Sequence, residues 1–334
     1  MNPLARASFI AFLSTCVAVG IGFQAQGRAR AIDEIESQLI DLYQKNRDAV
    51  ARVKVATRTK DASGADSTAL TVLSGFFIDP NGHVLTNALP STDNSRIWIE
   101  KGGKQYLAVL VGTDTTCNLS LLQLAKPPET LTHIPLETTP DATPIGSLAI
   151  AITCPLEFEP TPKWGLVSGR ESKFSDIRFP FAYTRVSIPS GPAEGGSPVF
   201  DKRGRLIGIS VATLPEVSSS YIVPTAALKR VADYLRQGRA FPHLELGADL
   251  LESEISYSNE ARKSVVVQNL HNNGLAKNSG LRKGDTILRI NGEEISSLNQ
   301  LSDLLFFSER DAFLQVTVLR GDEEIELAIL APGD

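Results

Sequence analysis

The stretch richest in groups that could do chemistry is Gly191 to Ser210, GPAEGGSPVFDKRGRLIGIS. A tight glycine-rich loop there carries a hydroxyl, Ser197, three residues after a carboxylate, Glu194. A strand start at Val199 and Phe200, a polar turn and a second strand follow. Acyl transfer from such a loop needs a hydroxyl nucleophile, a base to take its proton, a group to orient that base, and backbone N–H groups for the oxyanion. Ser197 and Glu194 are the residual nucleophile and base candidates. None of the four histidines, His83, His133, His243 and His271, falls in the loop. A serine at such a position serves more often as a turn residue than as a nucleophile. The histidines and cysteines do not cluster in sequence, and no Walker or GxGxxG pattern follows a strand, so the sequence predicts no metal and no cofactor.

Composition bounds the partners. With 334 residues, 42% hydrophobic and 21% charged, the chain is ordinary globular material for two or three domains. Its net charge is −5, and the first 31 residues hold Arg6, Arg28 and Arg30 with no acid, so the remainder is more acidic still. That argues against nucleic acid as a partner. Arg6, the apolar run from Phe9 to Phe23 and the small-x-small site Ala29-Arg30-Ala31 read as a signal peptide over residues 1–31, placing the protein in the periplasm or outside the cell. An uncleaved inner-membrane anchor is the alternative, though the run is shorter than the ~20 residues a span needs. Beyond this segment only Cys117 and Cys154 remain, and their pairing or separate burial is left open.

The elements that must position the loop are short and mostly extended. Ile32, Ile35, Leu39, Leu42 and Tyr43 have helical spacing, so an amphipathic helix is expected over Ile32 to Val50. The segment AVARVKVAT alternates as a strand, Lys60 to Ser67 reads as a polar loop, and Pro80 with Asn81-Gly82 makes the turn of a hairpin. His83 then points out of the hairpin as a solvated residue. Strand-like runs RIWIEKG and QYLAVLVG follow, then a Pro/Thr-rich connection from Lys126 to Thr143. A further series of strands ends in a helix with Ala227, Leu228, Val231 and Leu235 on one face.

Several of these motifs resemble the HtrA (Deg) family of trypsin-like serine proteases. TVLSGFFIDPNGHVLTN is similar to the family's G-S-G-F-I-I-D-P-x-G-x-I-L-T-N-x-H-V, DTTCNLSLL to its D-x-x-x-D-L-A-L-L, and the Gly191 loop to its G-N-S-G-G-P. The resemblance implies a mainly β fold, a trypsin-like double β-barrel over residues 32–242. It also places the family's histidine, aspartate and serine at Leu89, Asn118 and Gly195, and the glycine two before the nucleophile at Ala193. A Cβ at that positive-φ position is expected to flip the peptide of the oxyanion loop.

From Leu244 the texture changes. NGLAKNSGLRKGDTILRING, Asn273 to Gly292, resembles the PDZ signature, so residues 243–334 are expected to form an α+β PDZ domain. Such a domain adds a partner's C-terminal segment as a strand at a sheet edge. The resemblance puts the carboxylate loop at Leu246, Gly247 and Ala248, the strand at Leu250, and the facing wall on the helix carrying Leu298, Leu301, Leu304 and Leu305. The implied protein is a non-catalytic HtrA-like adaptor or regulator in envelope protein quality control. Its implied partners are protein C-termini or extended peptides, and active HtrA relatives, with a homo-trimer suggested by the family. The rival readings are an endopeptidase with a rearranged site and a purely structural oligomerising scaffold.

Overall fold

The computed structural model describes residues 33–60, 64–89, 95–138, 143–257, 260–272 and 274–331. The expected leader at 1–31, Ile32 and Pro90 lie outside the described residues. Helix α1 spans 33–46, and a 3-10 turn, Arg47–Ala49, hands the chain to the first strand, so the expected helix is one turn shorter than its apolar spacing suggested. Its C-terminal half does the docking. Leu42 is buried, Leu39 and Tyr43 pack against the core, and Tyr43 Oη donates to the Pro160 carbonyl at 2.7 Å, whereas Ile35 is left exposed.

Strands β1 (Val50–Lys60), β2 (Asp66–Phe77), β3 (His83–Thr86), β4 (Ser95–Lys101), β5 (Lys104–Asp114) and β6 (Leu119–Leu124) close a barrel in the order β1-β2-β3-β6-β5-β4. The β1–β2 register runs out to Lys60 opposite Asp66, so the strands take the two ends of the expected Lys60–Ser67 loop, while Gly64 and Ala65 are outside any strand. The β2–β3 hairpin turns at Asp79-Pro80-Asn81-Gly82 as its residues dictate, with Gly82 at φ +83° and the Ile78 N–H bonded to the His83 carbonyl. His83 is only partly exposed and is paired: its Nδ1 lies 2.8 Å from Asp79 Oδ2, and Asp79 also takes Arg236 at 2.9 Å.

After an irregular crossing, β7 (Leu148–Thr153), β8 (Thr161–Phe174), β9 (Ile177–Val186), β10 (Pro198–Asp201), β11 (Leu206–Leu214) and β12 (Ser219–Pro224) close a second barrel. Helix α2 (Thr225–Arg236) buries Ala227, Leu228, Val231 and Leu235, the face expected from spacing.

A third sheet follows, in the order β13 (Ala248–Tyr257), β14 (Glu260–Leu270), β15 (Thr286–Ile290), β17 (Phe313–Arg320), β18 (Glu323–Leu330), with the two-residue β16 (Glu293–Glu294) beside β15. Helix α3 (Leu298–Phe307) starts at Ser297, whose hydroxyl accepts the Gln300 N–H. Leu301 and Leu305 enter the core of this last domain. The opposite side of α3 rests on the second barrel. Asp303 accepts from the Ala182 N–H at 2.8 Å and from Arg170 at 3.0 Å, while Asn299 bonds both the Ser172 N–H and the Arg170 carbonyl. Phe306 is buried in the barrel core, 4.3 Å from Phe181 and 4.9 Å from Phe241 between ring centres. Burial raises the carboxyl pKa of Asp303, against the lowering effect of its two donors.

Candidate functional site

The glycine-rich loop sits between the barrels and is pinned to the first. Ser74 N–H donates to the Gly195 carbonyl and Ser74 Oγ to the Ala193 carbonyl, both at 2.9 Å. Gly196 (φ +87°) needs its missing side chain, because a Cβ there would stand 2.2 Å from the Ser74 carbonyl oxygen. Ala193 holds φ +67°, so the extra methyl is carried as strain and the dihedral keeps the sign a glycine would have. The expected flip of this residue does not appear in its φ.

Three positions singled out from sequence meet here in part. Gly195 faces Asn87, whose Nδ2 would lie 2.5 Å from a Cβ added at Gly195. Asn118, at φ +56°, donates from Nδ2 to the Val211 carbonyl at 2.7 Å, and Asn87 approaches the same oxygen at 3.5 Å. Leu89 turns away into the core of the first barrel, 3% exposed, with its N–H on Ser120 Oγ. Asn87, which the sequence reading passed over, is therefore the side chain nearest Gly195, and its place two residues before Leu89 was the available signal.

Ser197 and Glu194 do not form a hydroxyl–base pair. Ser197 is 1% exposed and its Oγ donates to the main-chain carbonyl of Glu194 at 2.7 Å. The Glu194 carboxylate points the other way, where it takes Lys163 Nζ at 2.5 Å, the Gly191 N–H and Thr153 Oγ1. Beneath the loop, between Ile188, Pro189, Glu194, Val199 and Ser220, only about 10 Å³ of free space remains, roughly the threshold for a single water.

No histidine reaches the loop. His83 is bonded to Asp79, His133 to the Leu131 carbonyl, His243 to Asp114 at 2.7 Å, and His271 to Asp249 at 3.1 Å. The two cysteines are both free and buried, so the open question of their pairing resolves as separate thiols. Burial pushes the Cys154 thiol up to about 12, and Cys117 is raised further by burial and by the Asp114 carboxylate. The expectation that histidines and cysteines stay apart is overturned at one point: Asp114, Cys117 and His243 bring their ligand atoms within 4.8 Å of one another.

In the third domain β13 is a sheet edge, paired only with β14. Gly247 opens it at φ +73°, with its carbonyl accepting the His271 N–H, and Leu246 accepts the Ala276 N–H. Leu246, Leu301 and Leu305 are buried together, while Ala248 and Leu250 are half-buried along the edge. Midway along β13, Glu252 accepts the Leu298 N–H at 2.7 Å, bridging to the start of α3.

Two closed six-stranded barrels with the loop between them, followed by a five-strand path and a groove helix, define a trypsin-like body joined to a PDZ domain. Residues 73–209 match the trypsin-like peptidase domain family and residues 246–330 the PDZ domain family. The putative serine protease HhoA of Synechocystis is 25% identical over 275 residues, 77% of this chain and 69% of that protein. A probable periplasmic serine endoprotease, DegP-like, of Marinomonas is 26% identical over 269 residues, 77% of this chain and 56% of that protein. The chain thus spans about half the length of the DegP-like relatives it matches. Among solved structures, the HtrA-type protease AlgW with a decapeptide superposes with a TM-score of 0.69 at 19% identity, covering 88% of this chain and 98% of that one. The chain carries a trypsin-like peptidase domain and one PDZ domain, and is homologous to the HtrA/DegP serine proteases. Among the described residues no helix is long and apolar enough to cross a membrane.

Proposed function

We propose that this chain is an exported, non-cleaving HtrA-type protein that captures protein C-termini or extended peptides with its PDZ domain, as an adaptor or regulator in envelope protein quality control. The observation that carries the non-cleaving part is the bonding of all four histidines elsewhere, with Leu89, Asn118 and Gly195 at the family's triad positions. Without an imidazole, nothing at the loop takes a hydroxyl proton, and the one hydroxyl there, Ser197, is buried and bonded to a main-chain carbonyl. Export is supported by the leader read at residues 1–31 and by DegP-like relatives described as periplasmic.

Peptide capture is supported by the free edge of β13, by Gly247 at its start and by the AlgW structures, which hold a decapeptide and a tripeptide. A bound segment would add antiparallel to Ala248–Leu251, its terminal carboxylate at Leu246-Gly247-Ala248 and its last side chain toward Leu246, Leu301 and Leu305. The deciding experiment incubates the purified chain, and its Ser197→Ala variant, with an unfolded protein substrate. Both are expected to be inert. Cleavage by the parent that disappears in Ser197→Ala overturns the non-cleaving reading. In parallel, a display library of free C-termini is expected to bind the parent and not Gly247→Glu; binding that survives this variant refutes the groove assignment.

A further inference from the structure

We propose that Asp114, Cys117 and His243 form a binding site for a zinc-type divalent cation, which ties the first barrel to the segment leading into the PDZ domain. The three ligand atoms lie within 4.8 Å of one another on two separate stretches of chain, the β5–β6 turn and the linker after α2. The donor set of thiolate, imidazole and carboxylate is one that zinc accepts in tetrahedral sites.

The turn is built to bring two of the donors together. Asp114 Oδ1 accepts the Cys117 N–H at 2.7 Å, which folds residues 114–117 back and keeps the Cys117 sulfur within 4.8 Å of the carboxylate. Asp114 Oδ2 faces the linker, where it meets His243 Nε2 at 2.7 Å. The imidazole is held against Phe241 and Phe306, with ring centres at 5.0 and 6.2 Å, so it reaches the carboxylate in a fixed orientation. Tyr183 of β9 hydrogen-bonds the Cys117 thiol from the second barrel, which fixes the sulfur in place.

Charge and proton accounting favour a cation. Asp114 and Cys117 are both buried, so charge on either has to be balanced within the cluster. A dication with carboxylate, thiolate and neutral imidazole sums to zero. Binding then proceeds with the thiol proton released to solvent and the imidazole proton moved from Nε2 to Nδ1, which frees the Nε2 lone pair for the metal. His243 Nδ1 is buried with no hydrogen-bond partner, so the tautomer changes without breaking a bond at that atom. A bound dication favours the thiolate form of its cysteine ligand, so binding and loss of the thiol proton are coupled.

The test titrates the full, reduced chain with Co²⁺ as a spectroscopic stand-in. We expect one equivalent to give a thiolate-to-cobalt charge-transfer band and the visible bands of a tetrahedral site, both displaced by Zn²⁺, with one proton released per cation at neutral pH. Cys154→Ser should keep the band and Cys117→Ser should lose it. Because Cys117 is buried and its replacement could disturb folding, His243→Gln is the second variant: it sits on the partly exposed linker, keeps the polar contact to Asp114, and should weaken zinc binding by roughly a hundredfold or more. Absence of the band in the parent, survival of the band in Cys117→Ser, or unchanged affinity in His243→Gln each overturns the site and leaves Asp114–His243 as an ion pair between domains.

Discussion

Replacing Phe306 by alanine should undock the PDZ domain without unfolding it. The ring belongs to α3 in sequence, yet it is 2% exposed inside the barrel cluster, against Phe181 and Phe241. Truncating a buried phenylalanine costs about 3–5 kcal/mol, and at 1.4 kcal/mol per factor of ten the docked arrangement loses from about a hundredfold to a few thousandfold in population. Two amides report this directly: Ser172 N–H and Ala182 N–H donate across the interface to Asn299 Oδ1 and Asp303 Oδ1. Their hydrogen exchange should accelerate by that factor, or to the undocked limit, while amides of the β14–β15 core stay protected. Leu301→Ala is the control, since Leu301 is 1% exposed in the PDZ core and its loss should weaken the PDZ fold itself. Both tryptophans, Trp98 and Trp164, lie in the barrels, so tryptophan emission follows the barrels alone. If Phe306→Ala lowers overall stability but leaves the Ser172 and Ala182 amides as protected as before, the ring is only a core residue and the docking argument fails.

Two further outcomes follow from the loop and the first barrel. Gly196→Ala, strained at φ +87° and driven against the Ser74 carbonyl, should cost roughly 3 kcal/mol or more in urea unfolding. Gly195→Ser meets only the swinging amide of Asn87 and should cost under about 1 kcal/mol; equal costs would refute the asymmetry. Glu100 is held below the usual carboxylate range by its hydrogen bond to Lys54, with Arg52 adding to the effect. A depressed folded-state pKa gives stability that is present above the unfolded value near 4.5 and lost as pH falls through the folded one. Glu100→Gln should therefore flatten the acid limb of the stability profile below about pH 4.5, and an unchanged limb would rule the pair out as its source.

What was legible in the sequence was local or periodic. The Asn81-Gly82 turn, the buried face of α2 and the glycine-punctuated run Asn273 to Gly292 each carry their conformational demand within a few residues, so their structure follows from steric rules. The contacts that decide the site span the chain. Asn118 reaches Val211 across 93 residues, Asp114 meets His243 across 129, and Asn299 meets Ser172 across 127. A polar side chain carries no sequence mark of which distant carbonyl or ring it will face, and so His83 read as solvated and the Asp114 cluster went unseen.

Ser197 and Glu194, the nucleophile and base candidates of the loop, bond to other groups for a local reason. Three-residue spacing in a tight loop is the spacing of a hydroxyl folding back on a main-chain carbonyl, which is the bond formed here. Once the carbonyl is taken by Ser197, the Glu194 side chain is free to swing under the loop, where Lys163 and Thr153 on the barrel wall compensate its buried charge. The carboxylate that looked like a base for the serine instead fills the space below it. A serine placed at Gly195 would put a hydroxyl beside Asn87, with the Glu194 carboxylate still bonded to Lys163 and none of the four histidines bonded at the loop.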